Sequence, residues 1–166
     1  MNIFVLSEDP AEAARFQLDK HVVKMPLETA QLLCSVFEPG VAPYKRTHYN
    51  HPCAIWTREA EGNFRWLIQH GLALCAEYTC RYGKTHASER VIRWVQDIAY
   101  HPHDLKFATH QYAPSRLTPF AQAMPDEYKH VNAVKAYRAY YKGAKAAIAT
   151  WKQPATVPEW WYSKEL

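Results

Sequence analysis

The sequence predicts an all-α fold, a compact single-domain helical bundle with long loops and an aromatic C-terminal tail. Three observations predict it. Helix-opening signals recur along the chain, apolar residues between them repeat at a helical period, and length and composition suit one core. The 166 residues are 48% apolar and 22% charged, close to globular averages. Chains divide into separate cores only above about 250 residues. Residues 1–152 are therefore expected to form one helical domain, with 153–166 packed on it as a tail.

Residues 3–6 (IFVL) fit either a short strand or an apolar arm. Asp9-Pro10, with Glu12 following, opens a helix: an acceptor at the cap, proline at the first position, an acid at the third. Helical pattern runs to about Phe37 with Pro26 inside it, where a kink or break is expected, and Pro39-Gly40 ends it. Residues 38–51 read as a loop, and His51-Pro52 opens the next helix. Pattern resumes from Glu61 to Tyr82, with Gly83 as a left-handed cap. Ser88 caps a helix to about Tyr100, and 101–123 reads as a long His-, Pro- and Thr-rich loop. Pro125 opens a short helical piece. Asn132 caps the last helix, expected to reach about Trp151, and the tail carries Trp160, Trp161 and Tyr162.

Net charge is +4 with neutral histidines, which admits nucleic acid as a partner. No apolar run approaches the roughly 20 residues of a membrane span, so no membrane partner is expected. The start, MNIFVLSEDP, has no basic flank and meets acids at once, which argues against a secretory signal and for a cytoplasmic protein. Cys34, Cys53, Cys75 and Cys80 form no C-x-x-C pair and read as reduced thiols, Cys34 and Cys75 on apolar faces. His48, His51, His86, His101, His103 and His110 lack helical i,i+4 spacing, so neither a metal nor another cofactor is expected. There is no phosphate-binding glycine loop and no G-x-S-x-G.

Three helical faces offer chemistry. On 61–82, Asn63, Trp66, His70, Glu77 and Arg81 share a stripe about 100° from the apolar one, suited to a polar ligand or to a surface Glu77–Arg81 pair. On 17–37, Gln17, His21, Lys24, Glu28 and Gln31 lie together. A histidine, an amine and a carboxylate within two turns form either an acid–base or Schiff-base group or a solvated polar face. On the last helix Lys135, Arg138, Lys142 and Lys145 form a stripe, with no acid between Asn132 and Lys152. Surface helices ordinarily mix signs, so the stripe suits phosphate.

Asp19-Lys20-His21, with Glu28 seven residues on, resembles the first helix of the phage pyrimidine-dimer DNA glycosylases of the endonuclease V type. The run Tyr137-Arg138-Ala139-Tyr140-Tyr141-Lys142-Gly143-Ala144-Lys145 resembles that family's aromatic-basic C-terminal segment. His51-Pro52 with Trp56, Glu77-Tyr78, and Arg81-Tyr82-Gly83 with His86 are similar to motifs of the wider family, in the same order. The resemblance implies a helical domain that binds duplex DNA, flips a base and cuts the glycosidic bond of a damaged pyrimidine without metal. It also implies that an amine attacks C1′, forms a Schiff base and nicks the strand by β-elimination. Glu28 takes the place of the catalytic glutamate and His21 that of the helix-one histidine. Arg138, Tyr140, Tyr141, Lys142 and Lys145 take the place of DNA contacts.

Two departures stand out. The family's nucleophile is the α-amine of a small residue exposed by loss of the initiator methionine, whereas residue 2 here is Asn. The amine is that of Met1, of Asn2 or of Lys24; an α-amine ordinarily titrates near 8 and a lysine near 10.4, which favours the former. The arginines that flank the family's glutamate are replaced by Leu27 and Gln31.

The expectation is thus a monomeric N-glycosylase acting on UV-damaged pyrimidines in double-stranded DNA, with AP-lyase activity. Its catalytic residues are Glu28, His21, Lys24, Met1 and Asn2. Its DNA contacts are Gln31, Asn63, Trp66, His70, Glu77, Arg81, His86, Lys135, Arg138, Tyr140, Tyr141, Lys142 and Lys145. The alternatives are a nucleotide- or modified-base-processing enzyme on the same scaffold and a non-catalytic DNA-binding module.

Overall fold

Asp9 accepts a hydrogen bond from the Glu12 amide at 2.6 Å and so starts the first helix, α1 (Pro10–Phe16). The computed structural model describes residues 1–99 and 116–164. It continues with α2 (Asp19–Cys34), α3 (Pro52–Glu59), α4 (Glu61–Tyr82), α5 (Glu89–Ala99) and α6 (Ala133–Ala144). Single 3-10 turns occupy Asp126–Tyr128, Ala146–Ile148 and Glu159–Trp161. The fold is all-α, and no strand forms among the described residues. His51 caps α3, Asn132 caps α6, and Gly83 ends α4 in the left-handed conformation at φ 66°.

The long helix α4 is the axis of the bundle. It packs against α1, α2, α3 and α5, and Phe64, Leu67 and Leu74 on it are fully buried. Gly71 allows the closest of these approaches: a Cβ there would meet Thr29 of α2 at 2.8 Å and Ile92 of α5 at 3.0 Å. The segment after residue 116 lies against the start of α4. Asn63 both donates to the Thr118 hydroxyl at 2.7 Å and accepts from its amide at 3.0 Å.

Residues 3–6 are a buried apolar arm with no regular structure. Phe4 links α2 to α6, stacking on His21 at 4.1 Å and meeting the edges of Tyr137 and Tyr141. Its φ of 56° is unusual for a bulky residue and costs about 1–3 kcal/mol, which these ring contacts offset. In the tail, Trp160 packs on Phe16 and Tyr141, and Trp161 on Trp151.

The structure departs from the sequence expectation at two breaks. The Pro10–Phe37 pattern divides at Gln17-Leu18, both extended, while α2 runs unbroken through Pro26. The division is held by Arg81, whose guanidinium donates to the carbonyls of Arg15 and Gln17 at 3.0 and 2.9 Å. Pro26 forgoes one helical hydrogen bond but is itself buried with Val22, Met25, Thr29 and Leu33, and this packing keeps the helix whole. The last helix stops at Ala144, short of Trp151, whose indole turns back to donate to the Phe16 carbonyl at 3.0 Å. Most of the predicted 101–123 loop, with His101, His103 and His110, and the expected helix end at Tyr100 lie outside the described residues.

Candidate active site at the chain start

The apolar arm fixes the chain start in space, and Asn2 aims it. The Asn2 side-chain oxygen accepts from the amides of Ile3 and Phe4 at 2.8 and 3.3 Å, and its amide donates to the Ala123 carbonyl at 2.7 Å. So held, the Asn2 backbone N–H donates to Glu28 Oε2 at 3.0 Å. The Met1 α-ammonium stands 3.8 Å from the same oxygen. The other oxygen, Oε1, is 3.2 Å from Lys24 Nζ, one helical turn back on α2. Glu28 is only 8% exposed, so these partners are what hold its charge in place.

His21 lies one turn further back. Its Nδ1 is 2.6 Å from the buried Tyr141 hydroxyl, and Phe4 covers its ring. Burial, reinforced by the positive charges of Lys145 and Lys24, brings its pKa down to about 3. The imidazole is neutral at physiological pH and cannot serve there as a cationic acid. Lys145 also sits 4.9 Å from the centroid of the Tyr140 ring, which places both on the α6 side of this site.

His51, at the start of α3, is near enough to the site to feel its charges, although the sequence marks it chiefly as a helix start. Its Nδ1 accepts from the Cys53 amide at 3.1 Å. Its pKa is lowered by burial first, then by the N-terminal amine and His48, with Glu28 opposing, so its ring shares the field of the amine and the carboxylate. The H-x-x-H spacing of His48 and His51 is the available signal, and such spacing raises the question of a metal rather than of this role. Burial pushes the Cys53 thiol up to about 12, so it is no nucleophile. No cluster of three or more His, Cys, Asp and Glu suited to a metal occurs among the described residues.

Several expected DNA contacts are instead structural. Asn63, His70 and Tyr141 have no exposure, and Arg81 and Trp66 almost none. Asn63 fastens the 116–123 segment, as above. The Trp66 indole donates to the Glu8 carbonyl at 2.7 Å. His70 is wedged between the Pro10 carbonyl at 2.9 Å and the Gln17 amide at 3.2 Å; burial brings its pKa down to about 4. Arg81 pairs with Asp19 at 3.1 Å and with Glu77 at 3.0 Å. Half-buried His86 spans from the α4–α5 turn to the Val23 carbonyl at 3.0 Å. On α4, then, the polar stripe faces inward as a second core rather than outward as a ligand face. Apart from the Glu77–Arg81 pair, which spacing on one helix does predict, side-chain polarity in the sequence does not tell these apart, because the partners lie on other segments.

The basic stripe of α6 is divided. Lys135 is exposed, whereas Lys142 donates to the Ser163 carbonyl. Arg138 donates to the Leu6 carbonyl at 3.0 Å and lies 5.2 Å over the Trp160 ring. Gln31 lines a groove with Leu27, Tyr44, Lys45 and Thr47 on the flank of α2.

A helical domain that holds its own amino terminus against a buried carboxylate has the parts for amine-and-carboxylate chemistry. A family model described as pyrimidine dimer DNA glycosylase matches residues 1–90, over half of the chain. The chain belongs to that family of DNA-repair glycosylases. The matched region holds Asn2, His21, Lys24, Glu28 and His51, while α6 lies beyond it. Neither the curated proteins nor the solved structures yield a match.

Proposed function

We propose that this glycosylase works through its N-terminal α-amine, with Glu28 as the partner carboxylate, and that it also cleaves the strand. The observation that carries the reading is the pair of main-chain nitrogens, Asn2 at 3.0 Å and Met1 at 3.8 Å, on one Glu28 oxygen. The neutral amine attacks C1′ of the damaged nucleotide as the C1′–N1 bond breaks. The base leaves with the bonding pair and takes its proton from water, while the proton of the amine passes to Glu28 and on to O4′ as the C1′–O4′ bond breaks and the ring opens to an iminium. The carboxylate stabilises the positive charge that develops on the sugar. The resulting iminium acidifies C2′; loss of that proton expels the 3′ phosphate by β-elimination, and water then frees the amine.

Lys24 is the weaker candidate. Its side chain is 67% exposed, and a long, flexible chain must be ordered before it can attack. Neutral His21, bound to Tyr141, is a positioning residue that braces α2 against α6 behind Lys24 and Glu28. Lys135, Lys145 and Tyr140, with Gln31 across α2, are proposed to meet the DNA.

Borohydride trapping on UV-irradiated duplex DNA, with peptide mapping of the adduct, tests the amine. The expected adduct lies on the N-terminal peptide. An adduct on Lys24, or base release without any adduct, overturns the assignment.

A further inference from the structure

Between Glu38 and Glu59 the chain has no acid but carries Lys45, Arg46 and Arg58 along with His48 and His51. The fold gathers part of this run into one cluster. The guanidiniums of Arg46 and Arg58 both lie over the Tyr49 ring, 4.3 and 3.8 Å from its centroid. Their charges are thus no more than about 8 Å apart. Among the described residues neither has a carboxylate partner; Arg46 donates to the Phe37 carbonyl, Arg58 to the Tyr49 carbonyl, and Arg46 Nε makes no hydrogen bond. Two like charges held together without a carboxylate repel each other, and a bridging anion relieves that repulsion. Stacking on Tyr49 also fixes both side chains beforehand, so less rotamer freedom is lost when an anion binds. Tyr49 itself is 39% exposed.

Chain neighbours of the cluster reach toward the site. Lys45 and Thr47 line the groove whose other wall is Leu27 and Gln31, the residues of α2 on either side of Glu28. His51, two residues from Tyr49, shares the field of the N-terminal amine and Glu28.

We propose that Arg46 and Arg58, braced on Tyr49, grip the phosphates of the DNA strand whose nucleotide enters the Glu28 site. The inference rests on the DNA-repair reading above and assigns it a contact surface on the α2–α3 loop and α3, separate from the basic stripe of α6.

The test is fluorescence anisotropy of a labelled duplex, undamaged and UV-irradiated, titrated across salt concentrations. Removing one phosphate-binding cation lowers the slope of log K against log salt by about 0.9. The Arg46→Gln/Arg58→Gln variant is expected to show a slope smaller by nearly two units on both duplexes. Arg58→Gln alone, which gives up a bond to an exposed loop carbonyl and the stacking on Tyr49, shows a drop of about one. Tyr49→Phe keeps the wild-type slope and Tyr49→Ala weakens binding. Arg93→Gln, an exposed arginine already paired with Glu89, is the control and stays unchanged. A folded Arg58→Gln or double variant with the wild-type slope overturns the grip while leaving the glycosylase reading intact. A wild-type chain that binds neither duplex overturns both.

Discussion

Two buried neutral histidines make the protein acid-labile well above the range in which carboxylates titrate. In the unfolded chain an imidazole takes up its proton near pH 6.5, whereas in the fold His21 does so near 3 and His70 near 4. Across the interval the unfolded state binds more protons, so stability falls as pH falls from about 6.5, and above 6.5 the contribution is flat. Each histidine contributes a slope of about 1.4 kcal/mol per pH unit, and the two together about 2.7. From pH 7 to pH 5 the loss is about 4 kcal/mol, a large part of the 5–15 kcal/mol typical of a domain. His51 adds to it with the same sign. Urea unfolding followed by tryptophan fluorescence at pH 7, 6 and 5 measures it. With a typical slope of about 2 kcal/mol per molar, the midpoint drops by about 2 M urea. His21→Gln removes about half of the pH dependence. A midpoint that stays constant from pH 7 to 5, or a His21→Gln variant with the full wild-type dependence, refutes the burial argument for that residue.

Three other outcomes are expected. Glu28→Gln slows base release in single-turnover assays by at least about 100-fold while the affinity for damaged duplex stays within about twofold; full activity in this variant removes Glu28 from the chemistry. Arg81→Met leaves the buried carbonyls of Arg15 and Gln17 and the Asp19 carboxylate without their cation, and it lowers unfolding free energy by about 3–5 kcal/mol in urea titrations. Gly62→Ala sets a Cβ 2.0 Å from the Arg116 carbonyl, so thermal denaturation shows a destabilisation of about 1–3 kcal/mol or displacement of the 116–123 segment from α4.

Local signals are legible in the sequence and long-range ones are not. The caps at Asp9, His51 and Asn132 and the stop at Gly83 act over three or four residues, and each stands where the pattern places it. Glu28, Lys24 and His21 share one helix, so their proximity follows from the helical repeat alone. The boundary between α1 and α2 depends on Arg81, more than sixty residues away, and Pro26 is the more conspicuous but weaker signal. Polar groups on α4 resemble a binding face in the sequence because periodicity gives an angle around a helix and not what lies opposite. Arg81, His70 and Asn63 find the α1–α2 turn and the 116–123 segment there, and a buried polar group with partners is stable where a lone one is not. No motif marks the Tyr49 cluster; only the absence of acids from 39–58 is visible in the sequence.

The geometry bears on the one departure from the family that concerns the nucleophile itself. An asparagine at position 2 lacks the small side chain expected of a processed terminus, yet here that side chain is what orients the terminus. Its bonds to the Ile3 and Phe4 amides and to the Ala123 carbonyl fix the Asn2 nitrogen against Glu28 Oε2, and Met1 follows within reach of the same atom. On the proposed mechanism either nitrogen, at 3.0 Å for Asn2 and 3.8 Å for Met1, would have that oxygen as its partner. Lys24 addresses the opposite oxygen from solvent. The carboxylate thereby separates two amines that sequence spacing alone does not rank. On the proposed mechanism, the one held by the buried arm is positioned before a sugar binds. The exposed one must order a long, flexible side chain before it can attack, and that ordering opposes the reaction.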